Sequence, residues 1–165
     1  MVIWLIGLSG AGKTTIGEAL ANRLKKTQKN TVFLDGDTIR HIVGDNLGYS
    51  LEERRLSGWR ICRFCEHLDK EGLNVVCSVI SLFTEHRDWN RKNYSAYFEV
   101  YIKVPLPELY QRNQKGIYSG FLEKKISNVA GLDLPFEEPE ADLIIENKAP
   151  FVSPDIHAET ILNLL

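Results

Sequence analysis

Short apolar runs alternate along the chain with longer segments whose apolar residues recur at helical spacing. The short runs predict buried strands, whereas the longer segments predict amphipathic helices. Strands that alternate with helices form parallel sheets with right-handed crossovers. We therefore expect an α/β fold in which residues 1–165 form one domain around a five-stranded parallel sheet flanked by helices. The predicted strands cover residues 2–6, 31–34, 74–80, 98–104 and 143–145, and the predicted helices lie at 15–24, from 38, at 52–70, within 81–93, at 105–112 and at 155–164.

A glycine-rich loop directly follows the first predicted strand and fits the pattern G-x-x-x-x-G-K-[ST] of phosphate-binding loops. Its glycines let backbone N–H groups turn toward an anion, and the N-terminus of the next helix adds partial positive charge. Lys13 is expected to reach the β- and γ-phosphates of ATP, and the Thr14 hydroxyl is expected to bind Mg²⁺. The predicted ATP-binding residues here are Gly7, Leu8, Ser9, Gly10, Ala11, Gly12, Lys13, Thr14 and Thr15.

Two carboxylates follow the second predicted strand, where Asp35 and Asp37 flank Gly36. In open α/β sheets, ligands bind at the carboxyl ends of the strands. Two carboxylates at this edge are costly unless a metal or a substrate uses them. The alternative is an Asx turn, in which an Asp side chain accepts a hydrogen bond from the backbone.

A capping signal marks the start of the longest predicted helix. Residues 45–50 form a predicted loop, and Ser50 with Glu53 fits the capping-box pattern S-x-x-E. Cys62 and Cys65 lie inside this helix as C-x-x-C, a spacing that places both on one face. Since neither a second C-x-x-C nor a nearby histidine pair completes a zinc site, we expect buried structural cysteines.

The composition is that of an ordinary globular protein, with 44% hydrophobic residues, 25% charged residues and a net charge of −2. It shows no basic excess that would indicate a nucleic-acid partner. No apolar run approaches the roughly 20 residues that span a bilayer. Because the first strand starts at Val2, there is no room for a signal peptide, and we expect a cytoplasmic protein with reduced cysteines.

Taken together, these motifs make the chain similar to the adenylylsulfate (APS) kinase family from Met1 to about Asn147. The phosphate loop alone is shared by many functions, whereas the elements that follow it are more selective. After the loop, the resemblance is carried by Leu-Asp-Gly-Asp-Thr-Ile-Arg at 34–40, Leu-Gly-Tyr-Ser at 47–50 with Arg54, Ile-Ser at 80–81 with Arg87 and Arg91, Lys-Gly-Ile-Tyr at 115–118, and Gly-Leu-Asp at 131–133 before Pro-Phe-Glu at 135–137.

The resemblance implies a P-loop kinase with a mobile lid at about residues 113–131. Such an enzyme transfers the γ-phosphoryl group of Mg-ATP to the 3′-hydroxyl of a nucleoside that carries a 5′-phosphoanhydride. By the same resemblance, Asp37 orients the acceptor hydroxyl and takes its proton, assisted by Lys13 on the ATP side. Asp35 supports this site or the metal, so that Thr14 and Asp35 are the predicted metal ligands.

The resemblance also assigns the acceptor site. Arg40 and Arg54 would hold the acceptor's 5′-phosphate and its anhydride partner, because planar guanidinium groups match such anions. Tyr49 would form one aromatic wall of the base pocket, and Arg112 and Lys115 would close with the lid on the phosphates, with Arg112 on the ATP side. The full predicted acceptor set is Asp35, Asp37, Arg40, Tyr49, Arg54, Ser57, Ile80, Ser81, Lys115 and Val129.

Several departures from the family pattern fall in this acceptor pocket. The family's Asn-Ile-Arg-Arg is Ser-Gly-Trp-Arg at 57–60, its Ile-Ser-Pro ends in Leu82, and its basic lid run is Ser-Gly-Phe-Leu at 119–122. Val129 replaces the family's second stacking aromatic residue. Trp59 either turns inward to supply a ring or packs outside the pocket. In the latter case the pocket discriminates less for adenine and favours a pyrimidine.

Three functions therefore compete. The first is APS kinase, which converts adenylyl sulfate to 3′-phosphoadenylyl sulfate. The second is a relative that phosphorylates another nucleotide anhydride, such as the cytidine diphosphoramidate kinases of bacterial capsule modification. The third is a nucleotide-binding module without turnover, against which the intact Lys13, Thr14, Asp35 and Asp37 argue. We expect a small-molecule nucleotide acceptor as partner, together with ATP and Mg²⁺, and a homodimer as the common default.

Overall fold

A five-stranded parallel sheet lies at the centre of the computed structural model, which describes residues 1–44 and 46–165. The strand order is β2-β3-β1-β4-β5, which confirms the predicted α/β class. Because the chain leaves β1 toward one edge and β3 toward the other, a crevice opens where these neighbours end. The strands are β1 (Val2–Ile6), β2 (Thr31–Asp35), β3 (Asn74–Val79), β4 (Tyr97–Lys103) and β5 (Leu143–Glu146).

Helices cover both faces of the sheet because side chains of successive strand residues point in opposite directions. Ile3 and Leu5 pack in the same apolar cluster as Leu20 and Ile161, whereas Trp4 and its neighbours pack toward Ile61 on the other face. The helices are α1 (Lys13–Thr27), α2 (Gly36–Val43), α3 (Leu51–Lys70), α4 (Thr84–Asn93), α5 (Leu106–Arg112), α6 (Ile117–Leu122) and α7 (Pro154–Leu162). Every helix in the described part of the chain is too short or too polar to cross a membrane.

The capping box at the start of α3 is present as predicted. The Glu53 backbone N–H donates to Ser50 Oγ, and the Ser50 backbone N–H donates to Glu53 Oε2 at 3.1 Å. Glu53 Oε1 also accepts a hydrogen bond from the Gly48 backbone at 2.9 Å. Of the loop predicted before this helix, residues 46–50 contain neither helix nor strand, and Asp45 lies outside the described residues.

The segment 113–131 is more regular than the sequence suggested. A 3₁₀ turn at Gln114–Gly116 leads into α6. The α6 residue Tyr118 is fully buried against Tyr110, and its hydroxyl donates to the Ser9 carbonyl at 2.7 Å. A helix of 6 residues spans less than two turns, so its sequence shows no clear apolar periodicity.

All three cysteines are buried and free, as expected for structural residues. Cys62 and Cys65 extend from α3 toward the sheet, where they meet Cys77 of β3. Burial raises the pKa of the Cys62 thiol to about 12 and raises the pKa of Cys77 as well. Within residues 1–44 and 46–165, no group of three or more His, Cys, Asp or Glu side chains is arranged so that it could hold a metal ion.

Candidate active site

A cavity of about 680 Å³ opens in the crevice beyond the ends of β1, β2 and β3. The phosphate loop contributes Ser9, Gly10, Gly12, Lys13, Thr14 and Thr15 to its wall. Every residue assigned to acceptor binding also lines it, namely Asp35, Asp37, Arg40, Tyr49, Arg54, Ser57, Ile80, Ser81, Lys115 and Val129. Residues that are distant in sequence therefore share one cavity, although their individual roles stay predictions.

The phosphate loop takes its shape from two glycines with left-handed backbone angles, Gly10 at φ 78° and Gly12 at φ 95°. A Cβ atom at Gly12 would lie 2.5 Å from Asn147 Nδ2, which donates to the Ala11 carbonyl at 2.8 Å. Asn147 directly follows β5, a position from which the sequence alone did not predict a role in shaping this loop. The side-chain amide of Asn147 thus stabilises the backbone conformation of the phosphate loop.

Four of the predicted ATP-binding residues do not line the cavity. Leu8 and Ala11 are buried in the core, and Gly7 packs where a Cβ would lie 2.7 Å from the Ile102 carbonyl. Arg112 approaches the loop from α5, with hydrogen bonds to the carbonyls of Gly10 at 3.0 Å and Asn147 at 2.5 Å. These residues shape the loop, and their predicted contact with ATP would be made through backbone groups or after rearrangement.

Lys13 lines the cavity, and its ammonium group donates to the Leu8 carbonyl at 2.9 Å. The pKa of Lys13 is lowered to about 8, mainly by burial and also by the nearby ammonium of Lys115. The carboxylates of Asp37 and Asp35 act in the opposite direction. An anion in the loop would favour the charged form of Lys13, since an opposite charge stabilises it.

The two carboxylates have different partners. Asp35 caps α2, with its Oδ1 accepting a hydrogen bond from the Thr38 backbone at 2.7 Å, so the local feature of the Asx-turn alternative is present. Asp37 lies in the first turn of α2 and forms an ion pair with Lys115, which follows α5. This ion pair bridges the cavity from the carboxylate edge to the segment 113–131.

A tyrosine between two guanidinium groups forms another part of the wall. The guanidinium carbons of Arg40 and Arg54 lie 4.4 and 5.2 Å from the centre of the Tyr49 ring. Arg40 donates to the carbonyls at positions 47 and 48, and Arg54 donates to the Tyr49 carbonyl at 2.9 Å. The Tyr49 side chain stays about half exposed beside these cationic groups.

Trp59 packs outside the cavity, which resolves the alternative that the sequence left open. Its ring contacts His86 at 4.4 Å and Trp89 at 5.8 Å between centroids, and it is absent from the described cavity wall. Val129, in contrast, lines the cavity and is 5% exposed.

Sequence reasoning missed the role of α4 in this wall. Ser81 adopts a left-handed backbone with φ 55°, and its carbonyl accepts a hydrogen bond from Arg87 at 3.0 Å. Arg87 is itself paired with the buried Glu99 at 3.4 Å. His86 also lines the cavity. In the sequence, this support is indicated only by Arg87 among the polar residues of α4. The sequence does not show that Glu99 is the partner of Arg87.

Comparison with known proteins gives a consistent result at the level of the family. The sequence model of the family described as Adenylylsulphate kinase matches residues 1–146. A cytidine diphosphoramidate kinase of Campylobacter jejuni is 45% identical over 146 residues, which cover 88% of this chain and 85% of that protein. A probable adenylyl-sulfate kinase of Archaeoglobus fulgidus is 38% identical over 139 residues, covering 84% and 90% of the two chains.

A solved structure indicates the same family as these sequence relatives. The Mycobacterium tuberculosis APS kinase in complex with AMPPNP and APS superposes with a TM-score of 0.88 at 29% sequence identity. The superposition covers 99% of this chain and 95% of that one.

Proposed function

The chain belongs to the adenylylsulphate kinase family, and from that premise we propose that it transfers the γ-phosphoryl group of Mg-ATP to the 3′-hydroxyl of cytidine diphosphoramidate. Its relatives are kinases, phosphotransferases that act on a hydroxyl acceptor, and one of them is named for this acceptor. The phosphoryl donor follows from the phosphate loop and from the AMPPNP complex of a structural neighbour.

The choice of acceptor rests on where two residues lie. Val129 is in the cavity wall, and Trp59 is outside it. Aromatic stacking contributes about 1–3 kcal/mol per base in proteins that bind single strands. Tyr49 supplies one such face, whereas Val129 offers a small branched aliphatic surface. Without an aromatic ring at position 129, the pocket loses one stacking surface that would favour a large purine, and we infer that it suits a pyrimidine.

Phosphoryl transfer has a loose transition state, so the protein contributes mainly positioning and charge. The backbone N–H groups of the phosphate loop surround the donor's phosphates, and Lys13 neutralises charge that develops on the transferred group. Thr14 and Asp35 both line the cavity with oxygen atoms, the ligand type that Mg²⁺ prefers. When bound there, Mg²⁺ would neutralise the β- and γ-phosphate oxygens.

Asp37 acts on the acceptor. Its carboxylate orients the 3′-hydroxyl and takes the proton as O3′ bonds to the γ-phosphorus and the bond to ADP breaks. Lys115 is paired with Asp37, so the binding of an acceptor requires the ammonium to move from the carboxylate toward the phosphates. Closure of the segment 113–131 would exclude water, which otherwise competes with the acceptor for the phosphoryl group.

Phosphorylation of APS is the second candidate, favoured by the close superposition on an APS kinase that holds APS. The test compares kcat/KM for cytidine diphosphoramidate and for APS at saturating ATP, since this ratio measures specificity. We expect the cytidine compound to be preferred by at least about tenfold, or about 1.4 kcal/mol. A preference for APS of about a hundredfold, roughly 2.7 kcal/mol, would overturn the proposal. Absence of turnover with both compounds would instead favour a binding module.

A pair of variants at one position links this ratio to the pocket. Val129→Phe restores an aromatic ring and is expected to shift the kcat/KM ratio toward APS by about tenfold, within the range of one stacking contact. Val129→Leu keeps an aliphatic side chain and is expected to leave the ratio within about twofold, which is less than 0.5 kcal/mol. An equal change in both variants would indicate a general disturbance of the wall.

A further inference from the structure

His86 is a buried histidine in the wall of the active-site cavity. It lies on α4, its side chain is 2% exposed, and its ring packs against Trp59 at 4.4 Å and Phe83 at 5.1 Å between centroids. The mechanism proposed above does not use it. A titratable side chain enclosed beside a substrate cavity is a candidate for recognition of that substrate.

The His86 ring packs into a gap on the surface of α3, at the position where Gly58 has no side chain. A Cβ atom at Gly58 would lie 2.5 Å from His86 Nδ1, so only a glycine leaves room for the ring in this position. Glycine in a helix interior is unfavourable by about 1 kcal/mol relative to alanine. Helix stability therefore does not favour Gly58, whereas the packing of His86 requires it. Gly58 itself lines the cavity. The Nδ1 edge of the imidazole therefore packs against Gly58, and both residues belong to the cavity wall.

The other ring nitrogen, Nε2, lies near a carboxylate but outside hydrogen-bond distance of it. Within the described part of the chain, Nε2 is buried without a hydrogen bond, and Glu85 Oε1 lies beyond hydrogen-bond distance at 4.0 Å. Burial lowers the pKa of His86 to about 4, while Arg55 and Arg87 also lower it and Glu85 raises it. The imidazole is therefore neutral at pH 7. The carboxylate beside Nε2 favours the tautomer with its proton there, which leaves Nδ1 as an acceptor.

The position of the gap relates it to the acceptor's anhydride. Arg54 and Gly58 are four residues apart on α3, so they occupy the same face of the helix, with Ser57 beside them. A phosphate held by Arg54 would direct the next group of the anhydride along this face. In that arrangement the group would lie beside Ser57, Gly58 and His86, which all line the cavity.

We propose that His86 determines acceptor specificity by accepting, at Nδ1, an N–H hydrogen bond from the amine at the end of the acceptor's anhydride. A phosphoramidate carries such hydrogens, whereas a sulfate or an unprotonated phosphate carries none. A site that binds an N–H group discriminates against an analogue without it, because the buried acceptor is then left unpaired. This inference rests on the proposed function, since it assumes a nucleotide anhydride in the cavity.

The experiment uses two ligands that differ in one group, cytidine diphosphoramidate and cytidine 5′-diphosphate. Calorimetry gives the Kd of each ligand for the wild-type protein and for three variants, at a pH of about 7.5 with ADP and Mg²⁺ present. His86→Phe keeps a packed ring without nitrogen, and His86→Asn restores an acceptor close to the position of Nδ1. His157→Phe is the matched control, because His157 is also buried with an unpaired Nε2 but lies on α7, away from the cavity.

We expect the wild-type protein to prefer the phosphoramidate by at least about tenfold, a size typical of one well-placed hydrogen bond. His86→Phe should reduce the preference to within about twofold, whereas His86→Asn and His157→Phe should keep most of it. An unchanged preference in folded His86→Phe, or a wild-type protein that binds neither ligand or does not distinguish them, would overturn the inference. If His86→Phe does not fold, His86→Leu takes its place.

Turnover separates this inference from the proposed function. A wild-type protein that shows the binding preference but transfers no phosphoryl group would refute the kinase proposal and support the role of His86. If the wild-type protein phosphorylates the cytidine compound and His86→Phe keeps the binding preference, the kinase proposal is supported and the role of His86 is refuted.

Discussion

At the scale of single residues, Asp37 and Lys13 both line the cavity and have different surroundings. Asp37 is exposed in the first turn of α2, and Lys13 is withdrawn from solvent in the phosphate loop. We expect Asp37→Asn and Lys13→Ala each to lower kcat by at least about a hundredfold, because both groups act on charge in the transition state. Steady-state kinetics on variants with unchanged circular dichroism checks this. Near-normal turnover by Asp37→Asn would remove that residue from the catalytic role.

The lowered pKa of Lys13 predicts a dependence on pH. Since burial brings this pKa from 10.5 to about 8, the unfolded chain binds more protons than the folded one between these values. The unliganded protein therefore gains stability from Lys13 as the pH rises through this window. Bound phosphates favour the ammonium form, so the binding of ATP at pH ~9 should take up a proton.

Calorimetry of ATP-analogue binding in two buffers of different ionisation enthalpy measures this proton uptake. We expect uptake at pH ~9 and little at pH ~7, where Lys13 is already charged. Lys13→Met is the control and should show no uptake at either pH. Equal uptake by this variant would assign the proton to another group.

At the scale of elements, the segment 113–131 combines an anchored helix with strained connections. Tyr118 fixes α6 to the phosphate loop, whereas left-handed backbone angles cluster on both sides of it. We expect 113–131 to be the most mobile segment without ligand and to become ordered when both nucleotides bind, with α6 exchanging its amide hydrogens more slowly than its flanks. Left-handed angles occur here at Asn113, Lys115, Gly116, Lys124, Asn128 and Gly131.

Hydrogen exchange with and without ADP plus acceptor tests this prediction. Strong protection of the flanks in the unliganded protein would contradict a lid. The amides of β1 provide the internal control, because this strand is buried in the centre of the sheet and should not respond to ligand.

Elements with a strong local signal were predictable from sequence. Val2–Ile6 is an apolar run of buried residues in a central strand, and the capping box of Ser50 and Glu53 fixes the start of α3. Both signals depend on neighbours in the sequence, so they need no tertiary information. The candidate acceptor residues were assigned by the resemblance to a family; the structure brings them to one cavity, and their roles stay predictions.

Features decided by tertiary packing could not be predicted. The ring of Trp59 packs against His86 and Trp89 of α4, two helices that meet only in the folded protein. Tyr118 of α6 is buried and donates a hydrogen bond to the phosphate loop, at a residue 109 positions earlier in the chain. Asn147 supports the phosphate loop across a similar separation.

At the scale of the whole molecule, a buried charge network connects β4 to the cavity. Glu99 is 1% exposed and lies 3.4 Å from both Arg87 and Arg91. Arg87 continues to the carbonyl of Ser81 in the cavity wall. We expect Glu99→Gln to lower the free energy of unfolding by about 3–5 kcal/mol, because it leaves a buried guanidinium without its counter-charge. Urea unfolding measures this change.

The matched control for this network is an exposed ion pair. Lys103 and Glu138 lie 2.6 Å apart with side chains about half exposed, so Glu138→Gln should cost no more than about 1 kcal/mol. Similar losses in both variants would mean that burial does not set the strength of the network.

The burial of the three cysteines, described with the fold, makes their alkylation a reporter of unfolding. A thiol reagent reacts with the thiolate, and Cys62, Cys65 and Cys77 are buried between α3 and the sheet, where the reagent has no access. Burial also raises the pKa of Cys62 and Cys77, which suppresses their deprotonation. Covalent modification therefore has to wait until this layer opens. A brief pulse of iodoacetamide read by intact mass would count opened molecules directly, without an engineered label, and substrates that stabilise the closed structure would slow the labelling.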